Sequence, residues 1–202
     1  MKKYINKFYT FSLIIITLIF ISSCSEDDAA PAEENEEEVI TDVKLIFTNS
    51  SNASDIVEAR AQDPDGTGVK ELQILDSIIL SSNTTYNLTF EIMNNLETPG
   101  EDIGAEILEE GAEHQIFFSF TDGAFTNPTG NGNIDNASGP VNYNDTDANG
   151  NPLGLSTSWI AGDALSSGSF TVRLQHQPDV KTSTSTANTG DTDFELVFVL
   201  NI

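Results

Sequence analysis

From about residue 39 onward, apolar and polar side chains alternate with a period of two. Tyr86, Leu88, Phe90 and Ile92 share one face of residues 84–93, and Phe194, Leu196, Phe198 and Leu200 share one face of residues 192–202. Residues 170–176 alternate as cleanly, and residues 114–121 carry Phe117, Phe118 and Phe120. Residues 39–48 alternate imperfectly, residues 71–80 are rich in Ile and Leu, and residues 56–61 form a weaker candidate. Such alternation marks strands with one buried face. The Gly, Asn, Asp and Pro clusters between the runs are what turns require. Eight or nine short strands predict an all-β domain over residues 39–202, an antiparallel β-sandwich of immunoglobulin-like or jelly-roll-like kind, with a closed β-barrel as the alternative. The last run ends at Ile202 and is expected to pair inside a sheet.

One segment changes period. In residues 101–114, Ile103, Ile107, Glu110 and His114 fall on one helical face, and Asp102, Glu106, Glu109 and Glu113 on the next. Early acids favour the helix dipole, while Gly104 and Gly111 shorten what can form. A short acidic helix is expected, with Glu110 and His114 at i and i+4 beside its apolar stripe.

The N-terminus has no such alternation. Residues 8–21 are nearly all apolar, follow Lys2, Lys3 and Lys7, and end in Ser22-Ser23-Cys24. The run is shorter than the ~20 residues that span a bilayer, so residues 1–23 read as a cleaved export signal. Ile21-Ser22-Ser23-Cys24 resembles the lipobox of bacterial lipoproteins, which implies that Cys24, the only cysteine, becomes the lipid-bearing N-terminus. Ile21 stands where that family more often has Leu. Residues 24–38 are acidic and poor in large apolar side chains, the composition of a disordered tether. Cys24-Ser25-Glu26-Asp27-Asp28 also looks like the acidic signal that carries Bacteroidota lipoproteins to the cell surface.

Charge removes several partners. The chain has 8 Lys and Arg against 32 Asp and Glu. Loss of the three signal lysines leaves five cationic side chains against those 32, a net charge of −27. Nucleic acid and anionic membrane surfaces are thereby disfavoured.

Histidine is scarce, and both copies fall where a strand meets a connection. His114 has Glu110 and Glu113 near it and His176 has Asp179. If the imidazoles meet, His114 and His176 with Glu110 and Glu113 make a donor set for zinc, copper or iron. If they do not, each is a hydrogen-bonded boundary residue. Asp145-Thr146-Asp147-Ala148-Asn149-Gly150 has the spacing that opens calcium loops, with Asp145, Asp147 and Asn149 as oxygen donors. Ser156 occupies the position of the closing acid, so the loop is not an EF-hand. Asp, Asn and Gly are also ordinary hairpin residues. Asp76-Ser77-Ile78 resembles a Bacteroidota O-glycosylation sequon, which would place a glycan on Ser77. Trp159 reads as a core aromatic, with a carbohydrate-stacking platform as the alternative. No nucleophile elbow, phosphate-binding loop, H-E-x-x-H or C-x-x-C motif occurs, and no enzymatic activity is expected.

The lipobox, the acidic segment leading into Glu113-His114-Gln115-x-Phe117-Phe118, the Tyr143-Asn144-Asp145-Thr146-Asp147-x-Asn149-Gly150-x-Pro152-Leu153-Gly154 turn and Leu174-x-His176-x-Pro178 together resemble a family of small outer-membrane lipoproteins of Bacteroidota. The resemblance implies an outer-membrane, lipid-anchored module that works beside a TonB-dependent receptor. With the histidines, the expected role is capture of a metal ion or a metal-bearing ligand. A structural or adhesive surface lipoprotein without metal is the alternative.

Overall fold

The computed structural model describes residues 38–66 and 71–202. The expected signal, Cys24 and most of the tether lie outside them. The compact unit begins at Glu37, so Glu38, assigned to the tether by its composition, belongs to the domain. No helix among the described residues is long and apolar enough to cross a membrane.

The alternating segments form two sheets that face each other across one core, so the sheet is not closed into a barrel. Strands β1 (Asp42–Asn49), β2 (Ile56–Gln62), β3 (Gln73–Ile74), β5 (Thr85–Met93), β7 (Phe125–Asn127) and β8 (Ser156–Ala161) build the first, in the order β3-β2-β1-β5-β8-β7. Strands β4 (Ile78–Ile79), β6 (His114–Phe120), β9 (Gly168–His176) and β10 (Asp191–Asn201) build the second, in the order β4-β10-β9-β6. All pairings are antiparallel except the short β4–β10 contact. Residues 71–80, one Ile- and Leu-rich run in the sequence, divide between the two sheets, and β7 and β8 are strands that the alternation does not predict. The closing strand lies between β4 and β9, inside its sheet as expected.

Alternation places Val43, Leu45 and Phe47 of β1 and Tyr86, Leu88 and Ile92 of β5 opposite Ile116, Phe118 and Phe120 of β6 and Phe170, Val172 and Leu174 of β9. Trp159 is fully buried at the centre. Its ring lies 4.8–5.4 Å, centroid to centroid, from Phe118, Phe120, Phe125 and Phe170, and its Nε1–H donates to Thr157 Oγ1 at 2.7 Å. It is a core side chain and not a surface platform.

Helix α1 (Ile103–Glu109) follows β5 and turns Ile103 and Ile107 into the core. Asp102 caps it by accepting from the Ala105 N–H at 3.1 Å. The helix stops two residues before Gly111, and His114 opens β6 instead of extending a helical face.

Candidate metal centre

Register brings the histidines together. Antiparallel pairing of β6 with β9 sets Phe120 opposite Phe170, Phe118 opposite Val172, Ile116 opposite Leu174 and finally His114 opposite His176. With a side-chain period of two, both imidazoles point to the same side as the core residues, one layer beyond them. Their rings stack with centroids 4.4 Å apart and planes 10° from parallel. Both are buried. Gly190, just before β10, keeps φ at +74°, and a Cβ there would meet the His176 carbonyl at 1.9 Å, so this corner requires glycine.

The acids come from three places. Glu110 caps the C-terminus of α1, Glu113 precedes β6, and Glu38 lies on the segment entering β1. Ligand atoms of Glu38, Glu110 and His114 lie within 4.8 Å of one another. Glu113 lies instead near His176, 3.7 Å from its Nε2. Of the four side chains expected to bind metal together, His114 and Glu110 are thus grouped, His176 stacks behind His114, and Glu113 faces the other ring. Nitrogen lone pairs lie in the ring plane, so two nearly parallel planes do not converge on one ion. An ion on His114 in this arrangement draws its other ligands from the carboxylates, and it recruits His176 only if a ring turns.

His114 Nδ1 lies 3.3 Å from the Glu110 carbonyl oxygen. A carbonyl can only accept, so the proton of the neutral imidazole belongs on Nδ1 and the lone pair on Nε2. Among the described residues that Nε2 is buried without a hydrogen bond, 3.4 Å from Glu38 Oε1, and Glu38 Oε2 is also buried without a hydrogen-bond partner. Burial, reinforced by the neighbouring His176 and Lys181, pushes the His114 imidazole down to about 4. Burial first, and then the charges of Asp193, Glu106 and Glu110, push the Glu38 carboxyl up to about 7. Asp193 sits where the β10 register shifts.

The Asp145–Gly150 loop has a different local chemistry. Asp145 accepts from the Gly154 and Ser156 N–H groups at 2.8 and 2.9 Å. Asp147 Oδ1 accepts from the Asn149 and Asn151 N–H groups, each at 2.8 Å, and Oδ2 accepts from Asn151 Nδ2 at 3.2 Å. The positive charge facing Asp147 is the Lys181 ammonium at 3.1 Å, both side chains being almost wholly buried. Lys181 also donates to the Gly111 and His114 carbonyls, each at 2.6 Å. The carboxylates expected to hold calcium are therefore bonded to loop amides and an ammonium, and Asn149 contributes a backbone N–H. Ser77 is exposed beside Asp76, which pairs with Arg60 at 2.7 Å.

Two participants had no local signal. Glu38 closes an acidic run whose other members look alike. Lys181 lies in a Ser- and Thr-rich loop, with only its rarity as one of the chain's 8 Lys and Arg residues to mark it. Comparison with family models, curated proteins and solved structures returns no match.

Proposed function

We propose that this protein is a lipid-anchored envelope binding module whose sandwich end holds a divalent transition-metal ion on Glu38, Glu110 and His114. The observation that carries the reading is the meeting of two acceptors in a buried place. His114 Nε2, which carries the lone pair, lies 3.4 Å from Glu38 Oε1 and has no hydrogen-bond donor among the described residues. Two acceptors so placed repel unless a positive charge lies between. A tetrahedral ion bonded at ~2.0–2.1 Å to each would hold them about 3.4 Å apart. The Glu110 carbonyl that accepts from Nδ1 is the kind of outer partner that fixes the tautomer and orientation of a metal-binding imidazole. Mixed carboxylate and imidazole donors suit zinc, iron(II) or manganese better than copper(I), which prefers thiolate and thioether.

Lipid attachment at Cys24, display at the cell surface and work beside a TonB-dependent receptor belong to the same proposal and are supported by the N-terminal sequence and the family resemblance. The test is zinc titration of protein purified without chelator or affinity tag, followed calorimetrically and by elemental analysis. Zinc should bind about one ion per chain, and His114→Ala and Glu38→Gln should each weaken it at least tenfold. Absence of titratable metal, or affinity unmoved by both substitutions, favours the structural or adhesive reading, in which a proton on Glu38 alone relieves the repulsion.

A further inference from the structure

The buried Lys181 ammonium and the Asp145–Gly150 loop meet beside the proposed metal centre and supply none of its ligands. An ammonium has three N–H donors, and each has an acceptor: the Gly111 carbonyl at 2.6 Å, the His114 carbonyl at 2.6 Å and Asp147 Oδ2 at 3.1 Å. The two carbonyls belong to the turn from α1 into β6, which carries Glu110 at its start and His114 at its end. Main-chain bonds tie the same segment to this turn. The Gln177 N–H donates to the Glu113 carbonyl at 2.6 Å, and the Lys181 N–H to the Gln177 carbonyl at 3.1 Å. Gly111 gives an independent sign of contact: a Cβ built there would lie 3.6 Å from the Asp147 Cβ, so the turn and the Asp147 loop pack directly together.

We infer that the Lys181–Asp147 pair is the positioning device of the metal centre and sets its selectivity, favouring zinc over a larger ion such as manganese. This rests on the metal-binding proposal and narrows its cargo. The reason is geometric. Zinc takes four ligands at ~2.0–2.2 Å and is held best where they are already placed. Manganese suits a six-coordinate shell of carboxylate and water oxygens, so water can stand in for a displaced side chain. His114 is held through its own carbonyl and Glu110 through the adjoining Gly111 peptide, so loss of the ammonium frees both ligands together. The pair carries no net charge. Asp147 largely cancels the repulsion that Lys181 alone would exert on an incoming cation.

The experiment measures zinc and manganese affinities of the full chain in detergent micelles by competition titration, with cobalt(II) absorption reporting coordination geometry. Wild type should prefer zinc. Lys181→Met combined with Asp147→Asn removes the clamp without leaving a bare charge. It should weaken zinc about ten- to hundredfold and manganese less than about threefold, and diminish the intense absorption of tetrahedral cobalt. Leu200→Ala, a buried site at the opposite end of β10, lowers stability and should leave both the affinity ratio and the spectrum unchanged. A pair with a merely structural role would behave like Leu200→Ala, and that result overturns the inference, as does a wild type that binds manganese as tightly as zinc. Coupling is reciprocal, so zinc should slow hydrogen exchange at the wild-type Lys181 ammonium, followed by nitrogen NMR, at least about threefold. Unchanged exchange in the zinc-loaded protein overturns the inference even where the double variant does not fold. Failure of wild type to bind zinc at all overturns the metal centre itself.

Discussion

At Glu38 and His114 the proton moves in opposite directions from ordinary behaviour, and the sign of each effect on stability can be worked out for the metal-free protein. Glu38 rises from 4.5 to about 7, so between these values the folded form binds the proton that the unfolded chain has lost, and stability falls as pH rises. His114 falls from 6.5 to about 4, so between these values the unfolded chain binds the extra proton, and stability rises with pH. From about pH 4.5 to 6.5 the two slopes cancel: folding shifts one proton from the imidazole to the carboxyl. Above that window only the Glu38 slope remains. In excess chelator, Glu38→Gln should therefore stabilise the protein at pH 8.5 by roughly 1–3 kcal/mol in urea unfolding, and be close to neutral at pH 5. Equal or lower stability of the variant at pH 8.5 would sink this account. The same residues show how far sequence reasoning reaches at this scale. His114, His176 and Glu110 were legible because histidine is rare and the acidic helix ends beside it. Glu38 was not, because its role depends on where a long acidic run happens to meet the domain.

Among the elements, the connections do as much as the strands. The 177–190 segment folds over the outer side of β6 and β9, where Gln175 and Gln177 donate to the Thr189 carbonyl at 3.1 and 3.0 Å, and Ala187 packs with Phe117 and Ile134. Lys181 fastens this segment to the start of β6 and to the Asp147 loop. Burial works to discharge both partners. Hydrogen bonds from Asn151 and Lys181 nevertheless hold the Asp147 carboxyl below its ordinary range, while burial keeps Lys181 below its own. Lys181→Met removes the counter-charge of a buried carboxylate and the ammonium donor to two carbonyls, and should cost about 3–5 kcal/mol in urea unfolding. Lys181→Met combined with Asp147→Asn should recover part of that loss. A single variant within 1 kcal/mol of wild type would mean that water replaces the ammonium. The alternation that located β5, β9 and β10 works because each buries one face. It missed β7, which is three residues long, and β8, whose Ser, Thr and single Trp give weak contrast.

For the whole molecule, the proposed anchor and the domain are separable. If Cys24 carries the lipid, Cys24→Ser should move the protein from outer-membrane to soluble fractions without changing its urea midpoint. A variant that still fractionates with outer membranes would refute lipid attachment as the anchor. The chain's formal net charge of −24 draws cations towards it and disfavours anionic surfaces as partners. By itself, the sequence determined the sandwich class, the apolar face of most strands, the internal place of the last strand and the general sign of the surface field. These follow from period-two patterning and composition, which are local or additive properties. Only the tertiary structure decided that two histidines 62 positions apart in the chain stack face to face. It also decided that Glu38 lies 3.4 Å from one of them and that a lysine stands before the calcium-like loop. The reason is physical: cross-strand register and loop packing fix distances between remote side chains, and no short-range pattern encodes them.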